Sequence, residues 1–170
     1  MVQYGTPYTG RKMRFIMGLD MYLDKELSIS EYDNHKELMD KILSLVGVED
    51  NSGNYRHISV VVPAIYWRKA NAIHKWFVDN CQEGDDNCHT YYLEHSQLEE
   101  LLETVHKQLQ FKDEIILETQ EGFFFGNTDK DEWYWSDLER TKNELERELK
   151  FVKEEEAKKR YWTFSYQSSW

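Results

Sequence analysis

Apolar residues recur along the chain at two spacings: every second position in some stretches, every third or fourth in others. The first spacing is typical of a strand with one buried face and the second of a helix with one buried face. Strands are predicted where Leu19, Met21 and Leu23 alternate with Asp20, Tyr22 and Asp24, over Ile58–Ile65, over Thr90–Leu93, and from Trp162 to the C-terminus. The segments Ile115–Leu117 and Phe123–Phe125 are predicted as strands of a hairpin or as one bent segment. Pro63, near the end of the second strand, favours an edge position or a strand terminus, because proline cannot donate to a neighbouring strand.

Four helices are predicted from the longer spacing. The first two are Leu38–Val46, closed by Gly47, and Tyr66–Asn80, with the core stripe Tyr66, Ala70, Ile73, Phe77 and Cys81. The third follows a capping box at Ser96–Glu99 and carries Leu98, Leu101, Leu102, Val105 and Leu109. The fourth runs from a second box, Ser136–Glu139, to about Lys158, with Leu138, Leu145, Leu149 and Val152 on its inner face.

This order of elements predicts an α+β fold with a mixed, largely antiparallel sheet packed against about four helices. A length of 170 residues fits one domain. We expect that domain to span residues 17–170, with residues 1–16 as an N-terminal extension or a short docked arm.

The net charge of the chain limits the classes of partner that it can bind. With 32 Asp and Glu against 21 Lys and Arg, the net charge is −11, which disfavours general binding to nucleic acids and to anionic membrane surfaces. No apolar run is long enough for a membrane span, so we expect a protein of the cytoplasm with reduced Cys81 and Cys88. The chain also contains 6 Trp, 11 Tyr and 8 Phe, more than a core of this size usually needs, so some should line a ligand or partner surface.

The predicted second helix carries the most distinctive side chains. They are the stripe Trp67, Asn71, His74 and Val78, and the cations Arg68, Lys69 and Lys75. An aromatic face, an amide and an imidazole suit a small planar ligand, and the cations would attract an anionic one. The alternative is a boundary stripe in which these side chains pack and bond to nearby backbone.

A second candidate stretch runs from Thr119 to Thr128, includes Gln120, and places Phe124 on the opposite side from its two Phe neighbours. A strand buried on both faces is the alternative interpretation. Asp131 and Glu132, beside Trp133, could hold a metal or a ribose, although such residues are more often first-turn acids and packing aromatics. The spacing of Cys81 and Cys88 matches no zinc pattern, and nucleotide-binding loops and catalytic motifs are absent from the sequence. We expect no metal, no cofactor and no catalytic residue.

Several segments resemble a family of small uncharacterised proteins encoded by bacteriophages and prophages. They are MGLDMYL (17–23), YWRKANAIHKWFV (66–78), CHTYYLEHSQLEELL (88–102), GFFFGNTDKDEWYWSDLERT (122–141) and YQSSW (166–170). The resemblance covers residues 17–170 and implies a viral accessory protein in the host-cell cytoplasm, acting against host defence.

We therefore expect a non-enzymatic binding protein of a phage that sequesters a nucleotide-like small molecule or inhibits a bacterial defence protein. Its predicted ligand contacts are stacking by Trp67 or Phe124, a phosphate contact by Arg68, and polar contacts by Asn71, His74 and Gln120. A homo-oligomer could complete such a pocket between subunits.

Two other functions fit the sequence less closely. One is a small enzyme acting on a nucleotide-like substrate, with His74 as general base and an acid from Asp129, Asp131 or Glu132. The other is an acidic mimic of DNA, against which the lysines interspersed along 139–160 argue.

Overall fold

The computed structural model describes residues 18–32, 35–48 and 56–170. Its strands are β1 (Asp20–Ser30), β2 (His57–Arg68), β3 (Tyr91–Leu93) and β4 (Trp162–Ser169). Its helices are α1 (Lys36–Leu45), α2 (Asn71–Cys81), α3 (His95–Gln110) and α4 (Glu132–Glu156). The predicted α+β class is confirmed, whereas the predicted arm over residues 1–16 and the start at Met17 lie outside the described residues.

The described strands form a single sheet in the order β2-β1-β4-β3, and each neighbouring pair is antiparallel. β2 lies at an edge, as Pro63 predicts. The pairing of β1 with β2 shifts register between Leu23 and Asp24, opposite the segment Pro63–Ile65. This irregularity acts as a β-bulge, and it allows both halves of β2 to direct apolar side chains toward the same face of the sheet.

The core lies between one face of the sheet and the helices. Phe77 of α2 stacks on Tyr166 of β4 with ring centroids 3.9 Å apart, and it also contacts Trp67 of β2 at 6.0 Å. The predicted inner faces of the last two helices are buried: Leu98, Leu101 and Val105 on α3, and Leu138, Leu145, Leu149 and Val152 on α4. The periodic pattern therefore identified the buried sides of these helices correctly.

The predicted helix Tyr66–Asn80 begins too early. Residues 66–68 belong to β2, where Trp67 pairs with Met21, and the helix begins at Asn71. Tyr66, expected in the core stripe, is 43% exposed. Trp67 is buried on the strand and is not part of a helical stripe with Asn71.

Both predicted capping boxes are misplaced. The cap of α3 is Glu94, whose side chain accepts from the backbone of Gln97 while Gln97 bonds back, so Ser96 lies inside the helix. The cap of α4 is Asp131, which accepts from two backbone N–H groups, so Ser136 also lies within a helix.

The segments 115–117 and 123–125 form no strand. Phe125 donates its backbone N–H to Gly122 at 3.1 Å, so residues 122–125 form a turn that buries Phe125 and leaves Phe123 exposed. A Cβ on Gly122 would lie 2.5 Å from the Phe125 ring, so this turn has no room for a larger residue. Consecutive aromatic residues here reflect a tight turn instead of a strand buried on both faces.

Candidate functional site

A cavity of about 430 Å³ lies where the end of β2 meets the beginnings of α2 and α4. Its walls are the turn between β2 and α2, the loop 126–131, and the first turns of α4. This volume falls within the range of about 300–1,000 Å³ that is usual for small-molecule sites.

The turn between β2 and α2 is shaped by Lys69. Lys69 has a φ of 59°, a left-handed conformation that is uncommon for a residue with a side chain. Its backbone N–H donates to Leu19 at 2.8 Å, and its carbonyl accepts from Asn71 at 2.8 Å. α2 then begins without a side-chain cap, so its first backbone N–H groups, at the cavity wall formed by Ala72 and Ile73, carry the positive end of the helix dipole.

Asn71 fastens the loop wall of the cavity. Its side-chain amide donates to the carbonyls of Asn127 at 2.7 Å and Phe125 at 3.3 Å, and the residue is only 4% exposed. Asn127 in turn donates to Asp131 at 3.4 Å, and Asp131 caps α4. This chain of bonds joins the starts of α2 and α4 through the loop.

Two cations that line the cavity, Arg68 and Lys69, have charged ends that converge beside Gly18. Within the part of the chain that the structure describes, Arg68 and Lys69 make no ion pair. The Arg68 Nη2 and the Lys69 Nζ lie 3.8 and 3.9 Å from the point that a Cβ on Gly18 would occupy. The Lys69 stem also passes within 3.4 Å of the corresponding point on Gly126. A Cβ on Gly18 would lie only 3.0 Å from the Lys69 Cε, so the absence of a side chain at Gly18 leaves room for the end of Lys69.

A third cation, Arg140 of α4, already forms hydrogen bonds within the protein. Its guanidinium donates to the Tyr66 carbonyl and, at 3.3 Å, to Glu144. Lys75, the remaining member of the predicted basic cluster, pairs with Asp79 at 2.8 Å and does not line the cavity.

The opposite wall carries carboxylates and an aromatic ring. Asp129, Asp131 and Asp137 line the cavity together with Trp133, which is 72% exposed. Burial raises the pKa of Asp137, and the nearby Arg140 lowers it by a smaller amount. The cavity thus combines cations, carboxylates and an open aromatic surface, which suit a ligand that has an anionic end and a planar, polar remainder.

Only Arg68 and Asn71 of the six predicted ligand residues line this cavity. Trp67 is 0% exposed, and its indole N–H donates to Thr141 at 2.8 Å. It therefore presents no surface to a ligand arriving from solvent, and its role is in the core.

The other three predicted residues meet in a second cluster around Asp86. The carboxylate of Asp86 contacts His74 at 3.1 Å and Gln120 at 3.5 Å, and it accepts from the indole of Trp170 at 3.0 Å. Phe124 stacks on Trp170 with centroids 6.3 Å apart. These residues join the loop after α2, the loop before α4 and the end of the chain.

His74 is enclosed in this cluster. The residue is 0% exposed, and its Nδ1 lies 2.8 Å from the hydroxyl of Tyr166, which is also fully buried. Burial lowers the pKa of His74 and raises that of Tyr166 well above its usual value, so both are held neutral. The acids named with His74 for an enzymatic role, Asp129 and Asp131, face the cavity that His74 does not line.

Sequence reasoning missed Asp137 and Arg140 as residues of the site, and it treated Lys69 only as part of a basic cluster. The available signal was the pair of carboxylates Asp131 and Glu132 beside Trp133, considered as a place for a metal or a ribose. Asp131 and Trp133 do line the cavity, whereas Glu132 does not. Among the residues that the structure describes, no three acidic, histidine or cysteine side chains are grouped as a bound metal ion would require.

None of the helices that the structure describes is both long enough and apolar enough to cross a membrane. Comparison with known proteins adds no relative: no protein-family model, no curated protein and no solved structure matches the chain.

Proposed function

We propose that this protein binds a small anionic molecule of nucleotide type in the cavity between β2, α2 and α4, and holds it without changing it chemically. The observation that carries the proposal is that the charged ends of Arg68 and Lys69 converge beside Gly18 and that both residues line the cavity. Among the described residues, neither forms an ion pair with a carboxylate.

Electrostatics favour an anion at this point. Two like charges placed close together repel, and an anion between them relieves that repulsion and forms charge-assisted hydrogen bonds with both. The uncapped N-terminus of α2 adds donors and a partial positive charge on the same side. Because the whole chain carries −11, this positive region is a local exception that would concentrate small anions.

The nucleotide character of the ligand is suggested by the opposite wall. Trp133 offers an exposed indole, and stacking between an aromatic ring and a base is favourable for every base. Carboxylates beside it can accept hydrogen bonds from sugar hydroxyls. The burial of His74 outside the cavity favours capture over turnover, because the side chain proposed as general base does not reach this space.

The biological setting of the proposal rests on the resemblance to phage proteins. We propose that the protein acts in the cytoplasm of an infected bacterium and withdraws a nucleotide-like signal from a defence response. Direct inhibition of a defence protein is the competing outcome, and the experiment below separates the two.

The test is a thermal-shift screen of the full chain with the four ribonucleoside monophosphates, cyclic nucleotides and ADP-ribose. A ligand at 100 times its Kd should stabilise the fold by about 2.7 kcal/mol, which raises the Tm of a protein of this size by roughly 5 to 10 °C. The shift should disappear in Arg68→Ala and in Lys69→Met, the second of which keeps the stem packed over Gly126.

Lys75→Ala is the matched control, because Lys75 belongs to the same basic stretch but pairs with Asp79 away from the cavity. It should bind as the wild type does. A screen with no shift would overturn the proposal and direct the search to a protein partner. Chromatography of the bound sample that shows a product would instead identify an enzyme.

A further inference from the structure

The charges that line the cavity are of both signs. Three cations, Arg68, Lys69 and Arg140, line it together with three carboxylates on the loop and on α4. Without a metal ion between them, every nearby carboxylate repels a highly charged anion and weakens its binding. The mixed lining therefore limits how much negative charge the ligand can carry.

Two of the carboxylates have oxygen atoms free for a ligand. Asp131 is occupied, because it accepts from two backbone N–H groups of α4 and from Asn127. Asp129 and Asp137 accept no side-chain hydrogen bond within the described residues. Burial of Asp137 also removes water from its carboxyl group, so a hydroxyl donated by a ligand would replace a lost partner.

We infer that the ligand is a ribonucleoside with a single phosphate group, and that the site discriminates against nucleoside triphosphates. This inference rests on the function proposed above. The phosphate contacts Arg68 and Lys69, the base lies on Trp133, and the sugar hydroxyls donate to Asp129 and Asp137.

The size of the cavity agrees with a ligand of this kind. Its volume of about 430 Å³ is in the lower part of the range for small-molecule sites, which favours one nucleotide over two joined ones. A triphosphate would need further cations for its additional charges, yet Lys75 is paired with Asp79 and Arg140 bonds to Tyr66 and Glu144.

The experiment compares the Kd values of the monophosphate and the triphosphate of each of the four bases, by calorimetry at one fixed ionic strength and without divalent cations. For at least one base, the monophosphate should bind more tightly than the triphosphate of the same base, by roughly tenfold or more. Its 2′-deoxy analogue should bind more weakly, because a hydroxyl donor is lost.

The carboxylates are tested by Asp129→Asn and Asp137→Asn, which remove charge with little change in shape. Each should reduce the preference for the monophosphate, and the double variant should reduce it further. Asp113→Asn is the matched control, since Asp113 is an exposed carboxylate outside this cavity, and it should leave the preference unchanged. The Tm of each unliganded variant confirms that it folds.

The outcomes separate the two proposals. If a triphosphate binds as tightly as its monophosphate or more tightly, the inference is overturned while the capture of an anion stands. The same holds if ADP-ribose or inorganic phosphate binds and no monophosphate does. If none of these anions binds, the proposed function itself fails.

Discussion

Replacing Thr141 with valine should destabilise the protein because it leaves the Trp67 indole N–H buried without an acceptor. Both residues are 0% exposed, and the bond between the Trp67 Nε1 and the Thr141 Oγ1 is 2.8 Å long. Valine has nearly the shape of threonine, so the substitution removes the acceptor and creates little cavity. The hydroxyl also donates to the Asp137 carbonyl at 2.7 Å, a bond within α4 whose loss has a small effect.

The expected cost is that of one unsatisfied buried donor, about 1–3 kcal/mol. For a protein of this size, that corresponds to a fall in Tm of roughly 2–12 °C. In a Trp67→Phe background the donor no longer exists, so the additional cost of Thr141→Val should fall close to zero. The coupling between the two positions should therefore be about 1–3 kcal/mol.

Urea unfolding of the wild type, the two single variants and the double variant measures this coupling. Thr104→Val provides the control, because the Thr104 hydroxyl donates only to the Glu100 carbonyl of its own helix. It should change the free energy of unfolding by less than about 0.5 kcal/mol. If Thr141→Val has the same effect with and without the tryptophan, the indole is not held in the core and the predicted ligand role of Trp67 regains its basis.

Three further substitutions test the surroundings of the cavity. Gly122→Ala should cost about 1–3 kcal/mol in urea unfolding, since its Cβ would lie 2.5 Å from the Phe125 ring; a neutral result would contradict the turn. Asp131→Ala should cost about 0.5–2 kcal/mol by removing the cap of α4, whereas Asp131→Asn, which keeps an acceptor, should retain most of the stability. His74 should remain neutral in the folded protein, because burial lowers its pKa below the usual 6.5. Its contribution to stability is thus complete above about pH 6.5 and is lost as the pH falls toward the lowered pKa of the folded state. The free energy of unfolding should therefore decline over that pH interval by more in the wild type than in His74→Gln. Equal dependence of the two proteins on pH would refute this.

Local sequence patterns were sufficient to identify those strands and helices whose strand pairing in the fold agrees with their own hydrophobic periodicity. Alternation in β1 and β4 and the apolar stripes of α3 and α4 identified both the elements and their buried faces. These patterns depend only on which side of an element avoids water, and neighbouring residues carry that information. The α+β class followed from the order of these elements.

The same patterns failed where a distant strand decides the conformation. Trp67, Asn71 and His74 have helical spacing, yet residues 66–68 extend β2 because β1 lies beside them and Trp67 pairs with Met21. Spacing within a segment contains no information about a partner far away in the chain. The residues of the ligand stripe inferred from that spacing consequently lie in three places. Trp67 is in the core, Asn71 bonds to the loop at Asn127, and His74 belongs to the cluster around Asp86.

The cavity itself is a product of the tertiary structure. The sequence determined which residues are charged, which are aromatic, and that Arg68 and Lys69 are adjacent. Only folding brings them to the same cavity as Asp129, Trp133 and Asp137, because Asn71 bonds the start of α2 to the loop that leads to α4. In physiological salt, electrostatic forces act over about 8 Å in space. The selectivity of the site therefore depends on which distant segments the fold brings together.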